Sequence, residues 1–180
     1  QNVVLVTGGA GFIGSHLCEG LLNKGYSVVC LDNLSTGTLD NLKDCINRQG
    51  FEFVKADVIK DDLENLFVSK KINFVFHYAA IVGVKRTLEN PLEVLDDILG
   101  IKKILELSLK YKVKKVVFAS SSEVYGEPVN IPEIEDGHVN AKLPYAIVKL
   151  MGEKYMEIYY KKYGLNTCSL RFFNIYGPRQ

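Results

Sequence analysis

The sequence predicts an α/β fold, a doubly wound parallel sheet with helices on both faces. Three observations carry that prediction. Apolar, strand-like runs alternate with helix-period segments along all 180 residues. The first run, Val3–Val6, leads directly into Thr7-Gly8-Gly9-Ala10-Gly11-Phe12-Ile13-Gly14, a glycine turn that opens a helical pattern. The second run, Tyr26–Leu31, ends on an acid, Asp32, about 20 residues beyond the glycines.

The glycine turn suits a diphosphate. Gly8 permits a tight turn, Gly11 lets backbone approach the phosphates, and Gly14 allows close helix–strand packing. The helix that starts at Phe12 and Ile13 presents unpaired N–H groups and the positive end of its dipole to the anion. The spacing is G-x-x-G-x-x-G rather than the commoner G-x-G-x-x-G. Asp32 is placed to accept hydrogen bonds from an adenosine ribose and would repel a 2′-phosphate, which favours NAD over NADP. The plainer reading of Asp32-Asn33-Leu34 is an Asx turn.

The later elements follow in order. A polar loop leads to a short helix around Leu39–Ile46, then a third strand, Phe51–Lys55, ending at Ala56-Asp57-Val58. A helix is expected from Asp61 or Asp62 to Val68, with acids at its N-terminus. The fourth strand, Asn73–Phe76, runs into His77-Tyr78-Ala79-Ala80. A long helix from Pro91 to about Lys110 keeps a helical period in Leu92, Leu95, Ile98, Leu99, Ile101, Leu105 and Leu109. The fifth strand, Lys115–Ala119, ends at Ser120-Ser121-Ser122. The proline-bearing stretch from Gly126 to Pro144 reads as irregular. A helix from Pro144 to Tyr163 is stopped by Gly164, and a sixth strand spans Asn166–Phe172. Six strands in this rhythm predict the order 3-2-1-4-5-6, with the site along their carboxyl ends.

Composition narrows the function. A net charge of +1 gives no case for nucleic acid or a membrane surface, and no apolar run nears the roughly 20 residues of a bilayer span. The chain enters its first strand at once, and no targeting signal is expected. Cys18, Cys30, Cys45 and Cys168 lack C-x-x-C spacing and read as reduced residues of a cytoplasmic protein without a metal site.

Tyr145 and Lys149 lie four residues apart on one helix face. A tyrosine of ordinary pKa, near 10, is a poor base at neutral pH. A neighbouring ammonium and a cationic nicotinamide would both favour the phenolate. The topology brings Ser121, at the end of the fifth strand, to the same sheet edge. Together the three can bind a hydroxyl, remove its proton and let its hydride pass to NAD. A surface Tyr–Lys pair and a polar strand cap are the bland alternatives.

These stretches resemble the extended short-chain dehydrogenase/reductases of the NAD-dependent epimerase/dehydratase family, which act on nucleotide sugars. The resemblance rests on the glycine turn, Asp32-Asn33-Leu34, Asp57-Val58, His77–Ala80, Ser120-Ser-Ser-Glu-Val-Tyr-Gly126, Tyr145-x-x-x-Lys149 and Arg171-Phe-Phe-Asn-Ile-Tyr-Gly-Pro-Arg179. It implies a Rossmann fold that binds NAD. Asp57 and Val58 would flank the adenine, with Asn33 beside the Asp32 site, and Tyr78, Ala79, Ala80 and Phe172 would line the cofactor path. Tyr145 would be the base, Lys149 would hold the nicotinamide ribose and lower the phenol pKa, and Ser121 would bond the substrate oxygen. Thr87 and Asn174 would face the sugar nucleotide. The resemblance further implies a homodimer, and a smaller C-terminal substrate domain largely absent from these 180 residues. The chain is therefore expected to be the NAD-binding domain of a longer enzyme.

Three functions stay open. Oxidation at C4 of a nucleotide-linked hexose can lead to 4-epimerisation, ranked first. It can lead to dehydration or decarboxylation, for which Glu123 in Ser-Glu-Val-Tyr-Gly would assist chemistry at C5. A non-catalytic NAD-binding sensor is the alternative of another class. One position departs from the family pattern: Asp97-Ile-Leu-Gly100 stands where Asn-x-x-Gly is usual.

Overall fold

The computed structural model describes residues 2–82, 84–129 and 131–180. Six strands, β1 (Val3–Thr7), β2 (Ser27–Asp32), β3 (Phe51–Lys55), β4 (Phe74–His77), β5 (Lys115–Ser121) and β6 (Thr167–Phe172), form one sheet. Its order is β3-β2-β1-β4-β5-β6, and every pairing is parallel. This is the doubly wound order expected from the sequence.

Side chains of β1 alternate between two cores. Val4 and Val6 join Cys18, Leu21 and Leu22 of helix α1 (Phe12–Asn23) on one face. Leu5 joins Val75, Phe118, Ile101, Ile104 and Met156 on the other, under α4 (Pro91–Lys110) and α5 (Pro144–Tyr163). Both long helices begin on proline, whose missing N–H costs nothing in the first turn. Gly164, with φ of +72°, ends α5 in the left-handed conformation open to glycine.

Two elements differ from expectation. Helix α2 runs Glu64–Lys70, starting later than Asp61 or Asp62. Those acids are engaged in turns: Asp61 accepts the Asp57 N–H and Asp62 accepts the Glu64 N–H. The helix around Leu39–Ile46 is a single 3₁₀ turn, Leu39–Leu42, followed by irregular turns. It is pinned from outside, since the Asn41 amide donates to the Ala10 carbonyl of the glycine turn. A short helix, α3 (Val84–Glu89), precedes α4 and carries Thr87. No helix among the described residues is long and apolar enough to cross a membrane.

Candidate active site

The carboxyl ends of the strands open into a cleft of about 1070 Å³, the size range of a small-molecule or cofactor site. One end is the glycine turn. Gly8 takes φ of +69°, and a Cβ there would lie 2.7 Å from the Ala79 nitrogen. A Cβ on Gly14 would lie 2.2 Å from the Gly8 carbonyl oxygen, so the helix start rests directly on the turn. Helix α1 has no side-chain cap and no acid in its first turn, which leaves its N–H groups turned to the cleft wall formed by Gly11, Phe12, Ile13 and Gly14.

Asp32 is buried and lines the same cleft. Its carboxylate accepts the Ala10 N–H at 3.0 Å and the Leu34 N–H at 2.8 Å. The Asx turn is therefore real and coexists with the cleft position. Asn33 donates to Asp57 at 3.0 Å, which ties the ends of β2 and β3. Burial raises the Asp57 pKa, but the bonds from Asn33, Ile59 and Lys60 outweigh it and hold the carboxyl below its ordinary value.

At the centre, Thr7 and His77 stand side by side in the β1–β4 register. The Thr7 oxygen accepts the Tyr78 and Ala79 N–H groups and lies 2.8 Å from His77 Nδ1. With two donors on that oxygen, its one proton points to Nδ1, which fixes the imidazole as the neutral Nε2–H tautomer. Burial, and then the nearby Lys149 charge, push the imidazole pKa down to about 3. Tyr78, Ala79 and Ala80 continue the wall, and Tyr78 meets Phe172 edge-on at 5.6 Å between ring centres.

Ser121, Tyr145 and Lys149 come together at the far end. The Ser121 oxygen accepts the Glu123 N–H at 3.2 Å, leaving the hydroxyl proton to act elsewhere. Lys149 is buried and donates to the Ala119 carbonyl at 2.7 Å. This is possible because α5 sits hard on β5: a Cβ at Gly152 would be 2.6 Å from the Phe118 ring. Burial lowers the Lys149 pKa to about 8, against an upward pull from Asp97.

The Tyr145 pKa is raised rather than lowered. Burial is the main cause, with a hydrogen bond from Ser121 opposing it and the Asp97 and Glu123 charges adding to it. The Lys149 ammonium lies over the phenol ring, 5.5 Å from its centre, instead of at the hydroxyl. Tyr78, the other phenol on this wall, is pushed up to about 12, chiefly by burial.

Two candidates fall outside the cleft wall. Glu123 is exposed in the 3₁₀ turn after β5, and Thr87 is half-buried in α3. Val58 and Asn174 do line the cleft. Two buried residues of the site went unassigned in the sequence. His77 is legible only once the β1–β4 register sets it beside Thr7. Asp97 lies in α4 with its carboxylate accepting the Ile81 N–H at 2.8 Å; the sequence marked it only as an acid where Asn is usual in the family.

The arrangement can hold a dinucleotide and bring a phenol, a hydroxyl and an ammonium to one end of it. Comparison agrees. Residues 4–180 match the sequence model of the NAD dependent epimerase/dehydratase family, and the chain belongs to that family. The UDP-glucose 4-epimerase of Mycolicibacterium smegmatis is 43% identical over 178 residues, covering 98% of this chain and 57% of that protein. A UDP-N-acetylglucosamine 4-epimerase from Methanobrevibacter ruminantium, solved with UDP-N-acetylmuramic acid, superposes with a TM-score of 0.93 at 38% identity. That match covers 100% of this chain and 57% of the other. A UDP-glucose 4-epimerase from Thermus thermophilus, solved with NAD, gives a TM-score of 0.89 at 40% identity, covering 99% and 57%. The chain thus spans a little over half the length of the relatives it matches.

Proposed function

We propose that this chain is the cofactor-binding part of a longer NAD-dependent 4-epimerase acting on a UDP-linked hexose. The observation that carries the reading is the convergence of Ser121, Tyr145 and Lys149 in the cleft that the glycine turn opens into. The relatives named above, all 4-epimerases of UDP-sugars, support the substrate class.

The residues present fit the dinucleotide. Gly8, Gly11, Phe12, Ile13 and Gly14 line the cleft beside an uncapped helix start, and a Cβ at Gly8 or Gly14 would strike backbone, of Ala79 or of the turn itself. Asp32 and Asn33 would hold the adenosine ribose, and Asp57 and Val58 the adenine. Tyr78, Ala79, Ala80 and Phe172 would guide the chain toward Lys149, which would hold the second ribose. NAD held there would supply the hydride acceptor and donor for chemistry at C4 of the sugar.

The chain's own groups move the proton. Tyr145 takes it from the C4 hydroxyl and gives it back, while Ser121 donates a hydrogen bond to the same oxygen. Burial keeps the phenol protonated at neutral pH, so positive charge brought beside it is what makes it a base. Asn174, on the cleft wall, would meet the sugar nucleotide; Thr87 would have to be reached by a substrate extending past that wall. Glu123 is exposed and off that wall, which supports epimerisation over dehydration or decarboxylation. Retention of all three reacting groups supports an enzyme over a sensor. The apolar residues that α4 and α5 leave exposed, Leu92, Leu95, Leu99, Ile147 and Met151, support a homodimer through this face.

The test is incubation of the full-length protein with UDP-glucose, read by NMR. Appearance of UDP-galactose is expected, and Tyr145→Phe should lower turnover at least ~100-fold. Unchanged turnover in that variant overturns the assignment, and loss of about 18 or 44 mass units would point to water or carbon dioxide leaving instead.

A further inference from the structure

The segment after β6 supplies one wall of the cleft in Phe173, Asn174, Ile175 and Tyr176. It leaves the edge of the sheet and reaches α1, which packs on β1 and β2. β6 and β1 stand three places apart in the sheet order, roughly 14 Å at the usual strand spacing. Among the described residues, Asn174, Ile175, Tyr176 and Gly177 make no hydrogen bond. The wall is therefore held from its two ends. At one end Phe172 is paired in β6, and Phe173 meets the Tyr125 ring at 6.1 Å between centres. At the other, His16 of α1 donates from Nε2 to the Pro178 carbonyl at 3.0 Å. Beside it, the Arg179 guanidinium donates to Glu19 of α1 at 2.7 Å and to Asp44, past the 3₁₀ turn, at 3.4 Å.

We propose that Arg179 is a positioning residue, the latch that holds this wall against α1 and so slows release of the dinucleotide. This rests on the cofactor-binding role given to the chain above. Arg179 itself stands off the cleft wall, so it acts through the segment that it fixes. Phe12 joins the latch to the cleft. It lines the cleft at the helix start, meets the His16 ring edge-on at 5.9 Å, and would stand 3.7 Å from a Cβ on Gly177. The Arg179 side chain is only 18% exposed, so its pair with Glu19 is screened less than an open surface pair. Two costs fall on the closed wall. Arg179 takes φ of +70°, a left-handed conformation that residues with a Cβ hold only where their surroundings impose it. Its Nη1 is buried without a hydrogen-bond partner. Together they keep the margin for closure small, and a wall held by one charged side chain can lift to let the cofactor exchange.

The test is the rate of cofactor release from the full-length protein, with NADH bound, displaced by excess NAD and followed by its fluorescence. Arg179→Met and Glu19→Ala should each speed release about tenfold, because a lost contact shows mainly in the dissociation rate. The double variant Arg179→Met/Glu19→Ala should release no faster than either single one, since both remove the same contact. Release unmoved in both single variants overturns the proposal, even where the thermal transition falls, because a purely structural pair would behave so. Fully additive effects overturn it equally. If Arg179→Met does not fold, Glu19→Ala carries the same test from inside α1, where alanine favours the helix. The measurement needs no sugar, which separates the two readings. Unmoved release beside normal turnover of UDP-glucose removes only the role of Arg179, whereas latch-dependent release from a wild type inactive on UDP-sugars removes only the epimerase assignment.

Discussion

Asp32 Oδ2 accepts the Ala10 N–H at 3.0 Å across 22 residues of sequence. The acid that ends β2 is therefore a brace for the glycine turn as well as a candidate ribose ligand. Its other oxygen takes the Leu34 N–H at 2.8 Å, where Leu34 sits at φ of +61°. Removing the side chain leaves a buried amide without its partner.

Asp32→Ala should accordingly cost about 1–3 kcal/mol of stability and weaken NAD binding in the same variant. Asp32→Asn should retain much of the stability, because an amide oxygen still accepts from Ala10. Denaturant unfolding and calorimetric NAD titration of the two variants separate the roles. Equal stability of Asp32→Ala and wild type would show that the brace is unimportant.

The glycines divide by what a methyl group would meet. At Gly14 the nearest atom is a backbone oxygen at 2.2 Å, which cannot swing aside. Gly14→Ala should destabilise by about 3 kcal/mol or more, as overpacking against main chain does. At Gly11 the closest contact is 3.3 Å and the residue faces the cleft. Gly11→Ala should fold nearly normally yet bind NAD roughly tenfold more weakly or worse, since its methyl group enters the phosphate path. Gly20, inside α1 with nothing within 4 Å, is the control. Gly20→Ala should gain up to about 1 kcal/mol from helix propensity. Thermal melts with and without NAD check all three.

Arg171 and Glu153 form a two-pronged ion pair, with N–O distances of 2.9 and 2.8 Å, that is mostly shielded from water. Ser120 also donates to Glu153, Arg171 donates to the Glu135 carbonyl, and the guanidinium lies 4.7 Å from the Tyr125 ring centre. The cluster clamps β6, α5 and the irregular segment before α5 beside Ser121. Arg171→Ala should cost about 3–5 kcal/mol, since it strands a nearly buried carboxylate. Arg171→Ala/Glu153→Ala should recover part of that loss. Urea unfolding of the cycle measures it, and a double variant no more stable than Arg171→Ala would contradict the pairing.

The sheet order and both long helices were legible because each rests on local pattern, whereas most of the cleft's lining was named through the family resemblance. Period, proline at the start of α4 and α5, and Gly164 at the end of α5 are all short-range signals. What escaped depends on contacts between distant segments. The delayed start of α2 comes from Asp61 and Asp62 spending their carboxylates on turn amides. The upward shift of Tyr145 comes chiefly from burial, with the Asp97 and Glu123 charges adding to it, none of which a four-residue spacing encodes. Glu123 is similar: the resemblance of Ser-Glu-Val-Tyr-Gly set it among the reacting groups, but it stands exposed in the 3₁₀ turn capped by Ser121.

His77 gives the clearest pH dependence. Its folded pKa is depressed to about 3 from an ordinary 6.5, first by burial and then by Lys149. Between those values the unfolded chain binds a proton that the folded chain refuses. Stability therefore falls as pH drops below 6.5 and stops falling, for this group, near 3. Above 6.5 both states are neutral and the contribution no longer changes with pH. His77→Asn keeps an amide that can meet Thr7 and cannot take up the proton. It should be less stable than wild type at neutral pH, because it loses the ring packed on Phe118 at 6.2 Å. Its stability should then decline less steeply with acid, by up to about one proton in the slope between roughly pH 6 and 4. Urea unfolding across that range gives the slope directly. Parallel curves for the two proteins would mean that His77 titrates normally in the folded state, and that burial does not hold it neutral.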